Sequence, residues 1–263
     1  MSILSHEEKS LTLIELQWYE MQLGDLFFYV MKKENAYWTA LDYQVSSNPP
    51  VAKPLEPINV LPEHLQVKEK IYLPESSEAP RVTIHLADKP YQVNPAADVK
   101  IAPKSKLVLY VSTPLWLQLR SISDGKVLAE YPTVIPRLSW VGGSTTEGSL
   151  CYSTRTSAPS AFTEVKQHKH RALTALELIN DGDQVLNIDR LSLPLNILGL
   201  YYSSTNGYWT ESVRYRINTE TGDTTVVAAQ RPPEELGDVV IVSPARDTNK
   251  TSRFRTAMNI IMG

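Results

Sequence analysis

The chain reads as an all-β protein: an antiparallel β-sandwich architecture in two sandwich-like parts, closed by a short C-terminal helix. Three observations carry this reading. Turn dipeptides that favour positive φ punctuate the second half, at Asp124-Gly125, Asp181-Gly182, Asn206-Gly207 and Thr221-Gly222-Asp223, each between β-rich runs. Between them the apolar residues alternate with period two. Tyr (13) and Trp (5) outnumber Phe (4), and Thr, Val and Ile are plentiful, a mix that suits pleated, half-buried strands.

The first fifty residues offer three strands, at 11–19, 25–32 and 36–45. Residues 48–57, Asn48-Pro49-Pro50-Val51-Ala52-Lys53-Pro54-Leu55-Glu56-Pro57, are too rich in proline for a sheet or helix interior and read as a linker. Seven short strands follow, at 66–73, 81–87, 106–112, 115–121, 127–130, 138–141 and 149–153. Leu115, Leu117 and Leu119 share one face of the fourth, and the seven together suggest one sandwich over 56–156. The polar stretch 153–160, with Pro159, reads as a second crossing point. Beyond it, 173–180 and 185–191 flank one turn and 198–203 and 208–218 the next, with Trp209, Glu211, Val213 and Tyr215 on one face. Residues 224–229 then return. Strands linked in series by turns predict an antiparallel sheet, which residues 157–243 would build together with residues 1–48. Residues 244–263 form a tail. In it Phe254, Met258, Ile261 and Met262 fall at helical spacing beside Arg253 and Arg255, so a short amphipathic helix is expected there.

Composition narrows the function. Net charge is −3 with both signs interspersed, unlike the basic footprint of a nucleic-acid binder. A single cysteine, Cys151, cannot close an intramolecular disulfide, which suits a reducing compartment. The first residues, Ser5-His6-Glu7-Glu8-Lys9, are acidic where a signal peptide would be basic, and no run reaches the roughly 18 apolar residues of a spanning helix. The expected location is the cytoplasm.

Candidate chemistry is sparse. Cys151 could act as a nucleophile with His168 or His170 as base, but Ser149-Leu150-Cys151-Tyr152 reads as a strand with a small buried thiol. His168 and His170 would point the same way from a strand, yet zinc wants further ligands, and Lys169 and Arg171 oppose a cation. The loop from Gly142 to Gly148 resembles a phosphate cradle but lacks the following helix and the lysine. Glu234-Glu235 reads as solvated surface. No catalytic residue, metal site or cofactor is expected. Two weaker sites remain. Tyr201, Tyr202, Tyr208 and Trp209 surround the Asn206-Gly207 turn and could form a sugar platform or simply pack across the hairpin. Phe254, Met258, Ile261 and Met262 could dock on the chain's own sheet or in a partner's groove.

Several short stretches resemble an uncharacterised, mainly archaeal family, domain of unknown function 432. They are Glu56-Pro57-Ile58-Asn59-Val60-Leu61-Pro62, Ile101-Ala102-Pro103-Lys104-Ser105-Lys106-Leu107, Trp140-Val141-Gly142-Gly143 running to Gly148-Ser149-Leu150-Cys151-Tyr152, Leu176-Glu177-Leu178-Ile179-Asn180, and Tyr201-Tyr202 before the last hairpin. The resemblance spans about residues 20 to 230. The chain departs from the family at Leu138-Ser139-Trp140, where a more basic, tyrosine-rich segment usually precedes the glycine pair. The resemblance carries no activity or site residue. It implies one partner class, small mechanosensitive channels, near which members are sometimes encoded. The expected function is therefore a non-catalytic interaction or regulatory protein, an accessory subunit of such a channel or a homo-oligomer, with carbohydrate or small-ligand binding at the aromatic hairpin as the second reading.

Overall fold

In the computed structural model, residues 9–45, 52–74, 77–141, 149–218 and 220–247 are described. The protein is all-β: about 53% of the described residues are strand, and no helix among them reaches seven residues. The amphipathic helix expected around Phe254, Met258, Ile261 and Met262 and the loop from Gly142 to Gly148 lie outside the described residues.

In chain order the strands are β1 (Lys9–Ser10), β2 (Trp18–Leu23), β3 (Leu26–Lys33), β4 (Ala36–Tyr43), β5 (Ala52–Ile58), β6 (Glu69–Tyr72) and β7 (Arg81–His85). Then come β8 (Tyr91–Pro95), β9 (Val99–Ile101), β10 (Lys106–Pro114), β11 (Trp116–Arg120), β12 (Val127–Pro132), β13 (Arg137–Val141) and β14 (Ser149–Thr156). The rest are β15 (Arg171–Asn180), β16 (Leu186–Ile188), β17 (Leu191–Leu193), β18 (Leu200–Ser203), β19 (Gly207–Thr210), β20 (Val213–Ile217), β21 (Thr224–Ala228) and β22 (Val240–Ser243). Among the described residues, three 3-10 turns, the last at Glu234–Leu236, are the helical content. No described helix is long and apolar enough to cross a membrane.

The chain divides into two compact units that interleave along the sequence. The first takes the chain up to His85, then Pro114–Ile135 and His168–His170; the second takes Leu86–Thr113, Pro136–Gln167 and the chain from Arg171 on. The first unit holds two antiparallel sheets, in the orders β5-β2-β3-β4-β6 and β1-β7-β11-β12. Tyr131 of β12 joins them. Its ring lies 5.5 Å from that of Phe28 on β3, and its hydroxyl meets Thr39 on β4 and donates to Glu69 on β6. These contacts set one sheet against the other, as in a sandwich. Because β11 is central, both its faces are covered: Leu117 and Leu119 are buried, and so is Gln118, whose amide donates to Glu130.

The second unit carries a seven-stranded sheet, β21-β20-β15-β19-β18-β22 with β10 also on β15, a four-stranded sheet β13-β14-β8-β17, and the pair β16-β9. Its core gathers Tyr110, Leu173, Ala175, Trp209 and Leu236.

The strand pairing departs from the sequence expectations at four points. The segment Ala52–Ile58 is a strand despite Pro54 and Pro57, because β5 is an outer strand with β2 as its neighbour, and an edge tolerates a missing N–H. Together with β6, it belongs to the sheet of the first fifty residues, and not to a sandwich over 56–156. The polar stretch 153–160 does not divide the chain: Thr154, Arg155 and Thr156 continue β14, and the Pro159 carbonyl accepts from Tyr110 within the same unit. Asp181-Gly182 does not close a hairpin. The buried Asn180 side chain donates to the carbonyls of Ile101, Ala102 and Gln184 and accepts from Gly182, so the chain turns towards β9, with which β16 pairs. Finally, β15 pairs in parallel with β19 and β20, so this sheet is mixed.

Candidate functional site

The aromatic hairpin forms where expected. Strands β18 and β19 pair antiparallel around residues 204–206, with Tyr202 opposite Tyr208 and Tyr201 opposite Trp209, and Gly207 supplies the positive φ of 66°. The rings, however, face inward. Trp209 is 0% exposed and stacks on Phe162, centroids 5.6 Å apart, with Tyr110 edge-on to both. Its indole N–H donates to the Asn206 carbonyl at 2.7 Å. Tyr208 is buried too, and burial holds its hydroxyl far above the ordinary tyrosine value. Two of the four rings that a sugar platform needs are core. Tyr201 and Tyr202 are half-buried.

Beside this hairpin lies a group that the sequence pattern left on a strand face. The register between β15 and the chain alongside it changes from Ala172↔Tyr208 to Leu176↔Val213, so one extra residue is accommodated around Glu211. Such a bulge re-aims a side chain. Glu211, buried, accepts from the Gly199 N–H at 2.6 Å and from the Tyr201 hydroxyl at 3.1 Å. Burial, reinforced by that carboxylate, pushes the Tyr201 hydroxyl up to about 12. The carboxylate acts as a clamp between the two ends of the hairpin.

The reactive candidates are not assembled into a centre. Cys151 is buried on β14, its thiol pushed up by burial, and the described groups beside it are Ser139 and Gln92. A raised, enclosed thiol is a poor nucleophile. His168 and His170 belong to the other unit, their rings 5.7 Å apart, and the His170 ring packs so closely that a Cβ on Gly24 would meet it at 2.7 Å. Among the described residues no group of three or more His, Cys, Asp or Glu is placed to hold a metal. Glu234 and Glu235 are exposed, as expected. In the first unit a cleft of about 610 Å³ opens beside the β3–β4 turn, lined by Lys32, Glu34, Asn35, Tyr37 and Ser77 among others. Backbone groups around it are already paired: the Glu34 N–H donates to Glu15 and the Leu73 N–H to the Asn35 carbonyl.

The feature that stands out is a partly exposed apolar sheet face. In the sheet β13-β14-β8-β17, cross-strand register puts Leu138 and Trp140 of β13, Leu150 and Tyr152 of β14, Tyr91 of β8 and Leu193 of β17 on one side. Exposure rises steadily outward. Leu193 is 0%, Tyr91 1% and Tyr152 6% exposed, whereas Leu150 and Trp140 reach 43% and Leu138 66%. The opposite side is polar and closed, with the Ser139 hydroxyl donating to Gln92 at 2.8 Å above Cys151. Strand β13 is also the sheet's edge. Among the described residues this apolar face is buried at one end and part-exposed at the other. The sequence marks these positions as alternating strand residues; alternation assigns a side of the sheet, not whether that side is covered.

No curated protein and no solved structure matches the chain. A family model does, over residues 10–262, and its description is that of a protein of unknown function. The match runs through both units and every strand from β2 to β22, so the chain belongs to the DUF432 family.

Proposed function

We propose that this protein works by binding another protein, as an interaction or regulatory subunit without catalysis, and that the outer half of the β13–β14 face is its contact. The partly exposed apolar strip Leu138, Trp140 and Leu150, continuous with a buried core face, carries the proposal. Aromatic and aliphatic side chains of this kind anchor protein interfaces once desolvated. The family resemblance makes a mechanosensitive-type channel the first partner to test, with self-association the second. A cytoplasmic site of action accords with a lone cysteine kept in the core.

The test is a double change, Leu138→Asp with Trp140→Ser, in the full-length chain. Both side chains are substantially exposed, so folding, followed by circular dichroism and melting, is expected to survive. Affinity purification from native cells and mass measurement in solution then compare the variant with wild type. A partner, or an oligomer, held by wild type and lost by the variant supports the proposal. Identical binding by the two chains sinks it.

A further inference from the structure

We propose that the cleft beside the β3–β4 turn binds a short zwitterionic peptide, about two residues long, whose carboxylate meets Lys32 and whose ammonium meets Glu34. The cleft lies within the first unit, apart from the β13–β14 face in the second, so this proposal and the one above stand or fall separately.

The cleft is built before any ligand arrives. Its volume, about 610 Å³, falls in the range of small-ligand sites. Lys32 stands opposite Tyr37 across β3 and β4, and Tyr37, 4% exposed, contributes an aromatic wall whose hydroxyl is tied to the Leu11 carbonyl. Leu73 adds an apolar wall, fixed to the turn by its N–H on the Asn35 carbonyl. The backbone on both sides is therefore already held, which lowers the ordering cost of binding.

Its polar side chains, by contrast, are uncommitted. Among the described residues, no hydrogen bond or ion pair engages the Lys32 ammonium, the Glu34 carboxylate, the Asn35 amide group or the Ser77 hydroxyl. Lys32 and Glu34 carry opposite charges into one cleft and do not pair with each other. Glu34 also sits at φ 56°, where glycine would be the easier residue, and the Glu15 carboxylate anchors its N–H at 2.8 Å. A carboxylate is thus held at the cleft at some cost to the backbone, as happens at binding sites.

These charges select the ligand class. A neutral sugar would use Asn35 and Ser77 but leave both charges unanswered. A simple anion would meet Lys32 and be repelled by Glu34 and Glu15. A zwitterion answers both signs at once. Lys32 and Glu34 are two residues apart, so their Cα atoms are separated by at most about 7 Å, the span between the ends of an extended dipeptide.

The experiment is a nitrogen–proton NMR titration of the full-length chain with alanyl-leucine, up to about 10 mM, which detects millimolar affinity. The same dipeptide with acetylated and amidated ends, free leucine and glucose serve as comparisons. The expected result is amide shifts at Lys32, Glu34, Asn35 and Ser77 on adding alanyl-leucine. Binding should weaken about tenfold or more with the capped dipeptide, and likewise with Lys32→Met or with Glu34→Gln. Both side chains lie at the surface, so the rest of each variant's spectrum should stay unchanged. Absence of shifts at the cleft overturns the proposal. So does equal binding of the capped dipeptide or of glucose, or binding that survives both substitutions. Free leucine binding as tightly as alanyl-leucine would overturn the length assigned to the ligand.

Discussion

Single residues in this protein carry very different weights, and burial decides which. Glu211 is a carboxylate enclosed by the Gly199 amide and the Tyr201 hydroxyl, so Glu211→Ala leaves one buried and one half-buried donor without their acceptor. The expected cost is about 3 kcal/mol in a denaturant titration, with Glu211→Gln, which keeps one acceptor oxygen, costing about half as much. Tryptophan gives a second contrast. Trp209→Ala empties the core between Phe162 and Tyr110 and should cost about 3–5 kcal/mol, whereas Trp140→Ala, at a ring 43% exposed, should cost clearly less. Denaturation of the two variants side by side checks the assignment of one ring to the core and the other to the face. Asp88 makes a pH-dependent contribution. Burial alone would raise its carboxyl, but the Lys89 ammonium and the Tyr152 hydroxyl, with the charge of Arg246, outweigh burial and hold it below the ordinary carboxylate range. The folded chain then gives up this proton more readily than the unfolded chain. Its stabilisation is fully present above the ordinary value near 4 and fades as pH falls through the lower folded value. The stability difference between wild type and Asp88→Asn should accordingly shrink as pH is taken from about 6 to about 2, read by unfolding at each pH. A difference that grows on acidification would show the shift to have the opposite sign.

At the scale of elements, the hairpins and the edges respond to different physics. The β3–β4 turn holds Glu34 at φ 56°, a conformation that favours glycine, and steadies it with the Glu15 carboxylate on the Glu34 N–H. Glu34→Gly relieves that strain and should stabilise the chain by up to about 1 kcal/mol, read as a higher melting midpoint. Hairpins whose partners are close in sequence were readable in advance. Asp124-Gly125 joins β11 to β12, Asn206-Gly207 lies at the β18–β19 turn, and Thr221-Gly222 joins β20 to β21, each paired antiparallel as the turn chemistry implies. Pairings between distant segments were not. The parallel contacts of β15 with β19 and β20 join residues as far apart in sequence as Ala172 and Tyr208 or Leu176 and Val213, and no local signal encodes them. The proline segment failed as a linker for a related reason: proline forbids a central strand, and only the sheet order shows that Ala52–Ile58 is peripheral. The partly exposed face belongs to the same class. Leu138-Ser139-Trp140 and Leu150-Cys151-Tyr152 announce two alternating strands, yet Tyr152 is covered and Leu138 is not, because cover comes from elsewhere in the chain.

The whole molecule is interleaved: the first unit is assembled from the chain up to His85, Pro114–Ile135 and His168–His170. Neither unit can therefore be excised as one continuous piece. A fragment of residues 1–85 lacks β11, the sheet partner of β7, and Tyr131, which joins the two sheets of its unit. It should give the collapsed amide spectrum of an unfolded chain in a two-dimensional nitrogen–proton experiment, and a well-dispersed spectrum would contradict the interdependence. What the sequence determined on its own was the class of structure, because side-chain alternation, turn chemistry and β-branched and aromatic composition act over a few residues and are written locally. It also determined that Cys151 sits in a strand, where a thiol is ordinarily small core. The tertiary structure alone decided which strands are neighbours, how the chain divides, which aromatic rings are core, that Glu211 turns inward at a bulge, and that one apolar face stays partly exposed. Those properties depend on long-range register and on what lies above each face, and burial is a relation between segments far apart in the chain.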